Sequence, residues 1–107
     1  MKKNIEGKDP SMNTQKNTGH VRMKGVGVPM AILASNLGNQ LGRIVVDKTG
    51  LTGAWDFQGV WDIEPAPDST TPSIFAGVRE QLGLRLVSQK GPVMMLAIDQ
   101  AERPSEN

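Results

Sequence analysis

Lys48-Thr49-Gly50 spells a triplet with which penicillin-recognising serine enzymes bind a substrate carboxylate. That chemistry also requires a Ser-x-x-Lys nucleophile, and no serine of this chain has lysine three residues on. Ser-Asp-Asn is missing too. The triplet reads better as a turn in which Thr49 and Gly50 place Asp47 and Lys48 at a strand end, with Gly53 opening the next strand. The carboxylates at short spacing are Asp62/Glu64 and Asp56/Asp62. Acid–base work would need one of them held in a cleft with a shifted proton affinity, whereas a solvated strand edge explains them without chemistry. His20, the single histidine, follows Gly19 and is expected to be exposed. Gly25-x-Gly27 lacks a third glycine and is followed by a helix that starts with proline, so it is no dinucleotide fingerprint.

Composition removes further classes. The 107 residues contain no cysteine, so no disulfide, thiolate nucleophile or zinc finger can be built. One histidine excludes a multi-histidine metal site. No cofactor is expected. A formal charge of +1 is too small for a nucleic-acid footprint. No apolar run reaches about 18 residues, so no membrane-spanning helix is expected. Met1 to Asn17 has no apolar stretch behind its lysines and does not read as a signal peptide.

These side chains need elements to position them. Residues 1–18 hold four lysines against two acids, with Ile5 as their one aliphatic residue. Such a segment reads as a flexible polar arm, a solvated leader or an anion-seeking tail, leaving 19–107 as one folding unit. Val21 to Lys24 alternates as a strand. Met30, Leu33, Ala34, Leu37 and Leu41 form one helical stripe between Pro29 and Gly42. Gly38 within it suggests a close packing contact. Ile44-Val45-Val46 reads as a buried strand, and Trp55 to Ile63 alternates strictly, with Trp55, Phe57, Gly59 and Trp61 on one side. Three of the four aromatics therefore read as core.

Glu64 to Pro72 is a proline-rich loop. Thr71 is the expected cap of a second helix, Pro72 to Leu82, with Ile74, Phe75, Val78 and Leu82 as its stripe. Leu84 to Ser88 alternates, Gln89 to Pro92 turns, Val93 to Ile98 is an apolar strand, and the tail from Gln100 is polar. The order is β-α-β-β-α-β-β, an α+β domain with two helices packed on a small mixed sheet. Gln40-Leu41-Gly42 and Gln81-Leu82-Gly83 end the two helices alike, which suggests related half-units.

The run Gly42-Arg43-Ile44-Val45-Val46-Asp47-Lys48-Thr49-Gly50-Leu51-Thr52-Gly53 resembles an uncharacterised, paralogue-rich family of exported proteins from soil acidobacteria. Gln81-Leu82-Gly83-Leu84, Lys90-Gly91-Pro92-Val93, Ile98-Asp99 and Pro104-Ser105-Glu106-Asn107 carry the same resemblance, which spans roughly residues 19–107. Ala54-Trp55 departs from it, since the family more often has a basic residue and Tyr there. The resemblance implies export and a C-terminal domain or truncated member, because family members are typically about twice as long. Some relatives carry a membrane metallopeptidase region whose zinc ligands this chain lacks. At fold level the element order is similar to the short N-terminal domain of secretins and TonB-dependent receptors.

The functional expectation is a non-catalytic extracytoplasmic domain that docks a protein or peptide through an open sheet edge. Its candidate binding residues are Asp47, Lys48, Thr49, Gly50 and Trp55. The alternative is a small-ligand sensor or carrier with a pocket lined by Trp55, Phe57 and Trp61.

Overall fold

The computed structural model describes residues 1–4, 10–63, 70–92 and 95–100. The expected loop residues 64–69, the strand start at Val93 and Met94, Ile5 and the tail from residue 101 lie outside them. The chain forms β1 (Lys2–Lys3), β2 (Ser11–Asn17), β3 (His20–Val28), α1 (Met30–Leu41), β4 (Ile44–Asp47) and β5 (Trp55–Asp62). Then come α2 (Ile74–Gly77), continued by a π-helical turn (Val78–Leu82), β6 (Leu84–Gln89) and β7 (Met95–Gln100). The class is α+β. The strands make two sheets rather than one: a four-stranded antiparallel sheet ordered β1-β5-β3-β2 and a three-stranded mixed sheet ordered β4-β7-β6.

The expected flexible arm is where structure and sequence diverge most. Residues 11–17 pair with β3 along their whole length, from Ser11 opposite Val26 to Asn17 opposite His20. The turn between them has Thr18 at φ 52° and Gly19 at φ 80°, the left-handed pair that matches the twist of a two-residue hairpin. Main-chain bonding to an existing strand holds this polar segment, so a lack of apolar side chains did not exclude it. Lys2–Lys3 likewise adds to β5, opposite Asp56 and Trp55.

α1 matches its stripe. Met30, Leu33, Ala34 and Leu37 are buried, Pro29 caps the start with extended backbone, and Gly42 ends the helix at φ 67°. A Cβ on Gly38 would lie 2.6 Å from the Arg43 carbonyl, so glycine lets the chain leave the helix close against it. β4 corrects the buried-strand reading: it is a sheet edge, and Ile44 is 54% exposed. β-branching marks a strand without telling an edge from a centre. The second helix begins at Ile74, not Pro72, and its cap is Ser73, whose Oγ accepts from the Ala76 N–H at 3.3 Å. Ile74, Val78 and Leu82 are buried, but Phe75 is 47% exposed and leaves the expected stripe. In the widened π turn, residues four apart stay in line, so the buried face keeps Ile74, Val78 and Leu82 and turns Phe75 outward.

One hydrophobic cluster draws on both sheets and both helices, including Val21, Met23, Leu33, Leu37, Trp61, Ile74, Val78, Leu84 and Ile98. Two glycines floor it. Gly25 faces the Phe57 ring and Gly59 faces the Trp61 ring, with a Cβ placed 2.4 Å and 2.2 Å from those rings respectively. Gly59→Ala is expected to lower the unfolding free energy by about 1–3 kcal/mol through overpacking. The check is a lower denaturant midpoint at unchanged slope, and a variant as stable as the parent would show that Trp61 can move aside.

Candidate functional site

The loop after β4 spends its polar groups on itself. The Asp47 Oδ1 accepts from the Thr49 N–H at 2.9 Å and from the Thr49 hydroxyl at 2.6 Å. That hydroxyl oxygen accepts from the Leu51 N–H at 3.1 Å, and the Thr49 carbonyl accepts from Gln100 Nε2 at 2.7 Å. The Lys48 N–H donates to the Ile98 carbonyl at 2.8 Å. Thr49 is buried, and Gly50 supplies a left-handed φ of 70°. These bonds end β4 and pin it to β7. Asp47, Lys48 and Gly50 are exposed, but the side-chain groups of Asp47 and Thr49 are already engaged. Trp55 lies half-buried at the start of β5, its indole N–H on the Thr52 carbonyl at 3.2 Å.

The carboxylates are dispersed. Asp56 accepts from the Gly27 N–H and from Asn4 Nδ2, both at 2.9 Å, and so fastens the bulge where the β3–β5 register shifts. Asp62 meets exposed His20 at 2.7 Å. Six residues of strand separate the two acids by about 20 Å, too far for a shared proton. Glu64 lies outside the described residues. Among the described residues no group of three or more His, Asp or Glu could hold a metal ion. Nor do the three rings surround a cavity. Trp61 is fully buried with its N–H on Gln40 Oε1 at 2.9 Å, whereas Phe57 borders a surface groove.

A different feature stands out at β6, an edge strand that among the described residues pairs only with β7. Because the Lys48 N–H bonds the Ile98 carbonyl, Ile98 directs its backbone groups toward β4, and by alternation Ala97 and Asp99 direct theirs toward β6. Val87 and Arg85, their register partners, therefore carry the ladder bonds, and Leu84, Leu86 and Ser88 turn N–H and C=O to the open side. A groove of about 510 Å³ lies between this edge and the second helix, bordered by Phe75, Ala76, Arg79, Glu80, Arg85, Leu86 and Val87. Three consecutive strand residues line it, so it follows the edge of the strand and not one face. Phe75 stands exposed on its helical wall.

A family model described as protein of unknown function (DUF3738) matches residues 1–101. The chain belongs to that family. The DUF3738 match takes in residues 1–18 with the β1 and β2 strands, which the resemblance in the sequence had left out. No curated protein and no solved structure matches the chain.

Sequence reasoning missed the β6 groove because its residues come from two elements and spell no motif. No sequence signal marked it, because Phe75 fits a regular helical stripe and only the π turn leaves its ring off the buried face. For the loop, Asp47→Ala is expected to reduce stability by about 1–2 kcal/mol by removing two bonds to Thr49. Thermal or denaturant unfolding checks this, and unchanged stability would mean that the loop does not fasten β4.

Proposed function

We propose that this DUF3738 domain is a non-catalytic extracytoplasmic module that binds an extended peptide segment of a partner protein along the free edge of β6. The observation that carries the reading is the groove of about 510 Å³ between that edge and the helix bearing exposed Phe75. An added strand would pair with the N–H and C=O of Leu86 and Ser88 while its side chains pack beside Phe75 and Val87.

Magnitudes favour this combination over either part alone. Four new backbone bonds contribute about 2–6 kcal/mol at the usual net value for each. Association costs about 4–15 kcal/mol in lost freedom, so main-chain pairing needs an apolar anchor beside it. Phe75 supplies that anchor. The extracytoplasmic setting draws support from the resemblance to exported acidobacterial proteins. The likeness to the short N-terminal domain of secretins and TonB-dependent receptors rests on element order, which β3 to β7 with the two helices follows. As an analogy it favours docking over chemistry. A small-ligand carrier would need rings around a cavity, and Trp61 is instead sealed in the core.

Peptides selected from a displayed random library on the folded domain test the reading. Ser88→Pro removes an outward N–H without touching the bonds to β7, and Phe75→Ser removes the anchor. Each is expected to weaken the selected peptides by about tenfold or more with little change in melting temperature. Lys48→Glu is expected to leave binding intact. The reverse pattern would move docking to the loop after β4, and binding indifferent to all three changes would refute both sites.

A further inference from the structure

The solvent face of the four-stranded sheet carries a second feature, independent of the β6 groove. On β3 the inward residues Val21 and Met23 alternate with exposed Arg22 and Lys24. β3 lies inside its sheet, between β5 and β2, so protection of a free edge does not account for these two charges. Cross-strand ion pairing does not account for them either. Arg22 sits opposite Gln15 on β2 and Val60 on β5, and Lys24 opposite Asn13 and Gln58. Among the described residues neither cation forms a salt bridge.

The acids on the same face are occupied elsewhere. Asp56 holds Gly27 and Asn4, and Asp62 holds His20 at the far end of the sheet. Lys2, opposite Asp56 on β1, adds a third exposed cation. Two surface hollows meet at Lys24. One of about 260 Å³ is bordered by Asn13, Gln15, Arg22 and Lys24. The other, of about 490 Å³, is bordered by Lys2, Lys24 and Gln58, and also by Asp56 and the edge of Phe57. Arg22 and Lys24 thus occupy the middle of the face with carboxamides flanking them, while Lys2 lies opposite Asp56 at the β1 edge.

We infer that this face docks an acidic peptide segment of a protein partner, whose carboxylates meet Arg22 and Lys24 while its backbone meets Asn13, Gln15 and Gln58. Charge complementarity names the occupant as an anion. The side chains present narrow it to a peptide. Phe57 borders that second hollow but is only 6% exposed, Trp61 is fully buried and Trp55 packs against the core, so among the described residues no ring stands free to stack on a nucleobase. Among the described residues no large apolar side chain stands exposed on it to enter a lipid surface. Carboxamides in rows offer both the donors and the acceptors that a peptide backbone needs.

The test uses a labelled peptide of alternating Glu and Ser, with its Gln-for-Glu counterpart, phosphatidylglycerol vesicles and a single-stranded oligonucleotide as comparators. The acidic peptide is expected to bind about tenfold more tightly than its neutral counterpart and to weaken as salt rises from about 0.05 M to about 0.5 M. The double change Arg22→Gln, Lys24→Gln is expected to cost about tenfold in affinity, while Lys48→Gln, Lys90→Gln, which removes equal charge elsewhere, leaves it unchanged. Circular dichroism confirms that both double variants fold. Equal weakening by the two pairs, no weakening by the first, or binding of vesicles or oligonucleotide alone would overturn the inference. Ser88→Pro separates it from the edge groove, because that change is expected to leave the acidic peptide bound.

Discussion

The indole of Trp61 is the point at which the four-stranded sheet meets both helices. Its ring is fully buried, lies over Gly59 of its own strand and presses on Gly77 of the second helix. A buried indole N–H without a partner is destabilising by about 1–3 kcal/mol. Here it donates to Gln40 Oε1 at the end of α1. The Gln40 amide nitrogen in turn donates to Asn36 Oδ1 at 2.6 Å and reaches the Met23 sulfur at 3.6 Å. Asn36 continues to the Thr14 hydroxyl at 3.1 Å on β2. A single polar thread therefore runs from the core strand β5, through α1, to the edge strand that looked least able to fold. Because each link is satisfied, the network specifies one arrangement instead of weakening the core.

The repeated Gln-Leu-Gly helix ends gain a physical meaning from this network. Gln40 and Gln81 occupy the same place in the two repeats, and both reach β5 at adjacent residues. Gln81 accepts from the Val60 N–H and donates to the Val60 carbonyl, both at 2.8 Å, so its carboxamide stands where a neighbouring strand would be. Gln40 takes the Trp61 side chain one residue later. Each leucine is the last helical residue, and each glycine turns the chain into the second sheet with a positive φ. Two short sequence matches are thus two clamps on one strand.

What could be read in the sequence was what side-chain periodicity controls. α1 combined an unbroken apolar stripe with Pro29 and Gly42, and β5 alternated over its whole length, so both were legible nearly to their ends. β1 and β2 were not, because their stability resides in backbone bonds to β3 and β5, and every residue type carries the same backbone. The short turn Asn17-Thr18-Gly19-His20 was the only side-chain hint of that hairpin. Phe75 was misplaced for a different reason: a 3.6-residue period assumes a regular helix, and the π turn changes the phase within it. Among the candidate site residues, Asp47, Lys48, Thr49 and Gly50 were conspicuous by type, yet their chemistry closes a turn. Residue types suggest a site only when their polar groups are left over after folding, and that surplus is visible only in three dimensions.

Edges decide where a surplus remains. The four-stranded sheet screens its own: β2 is polar and carries Lys16, while the outer side of β5 is covered by β1, by the Gln81 carboxamide and by the Pro72 carbonyl on the Asp62 N–H. β6 has Arg85 on its length but also a groove and an exposed phenyl ring beside it. The walls of that groove are not free to drift. Ile74, Val78 and Leu82 root the helical wall in the core, Leu84 and Leu86 root the strand, and Gly83 joins them at φ 71° with no spare residue between. A peptide entering there meets a slot whose width was fixed when the core packed. Little ordering would remain to be done on the protein side of the proposed interface, which is the condition under which a few backbone bonds and one aromatic contact can suffice for docking.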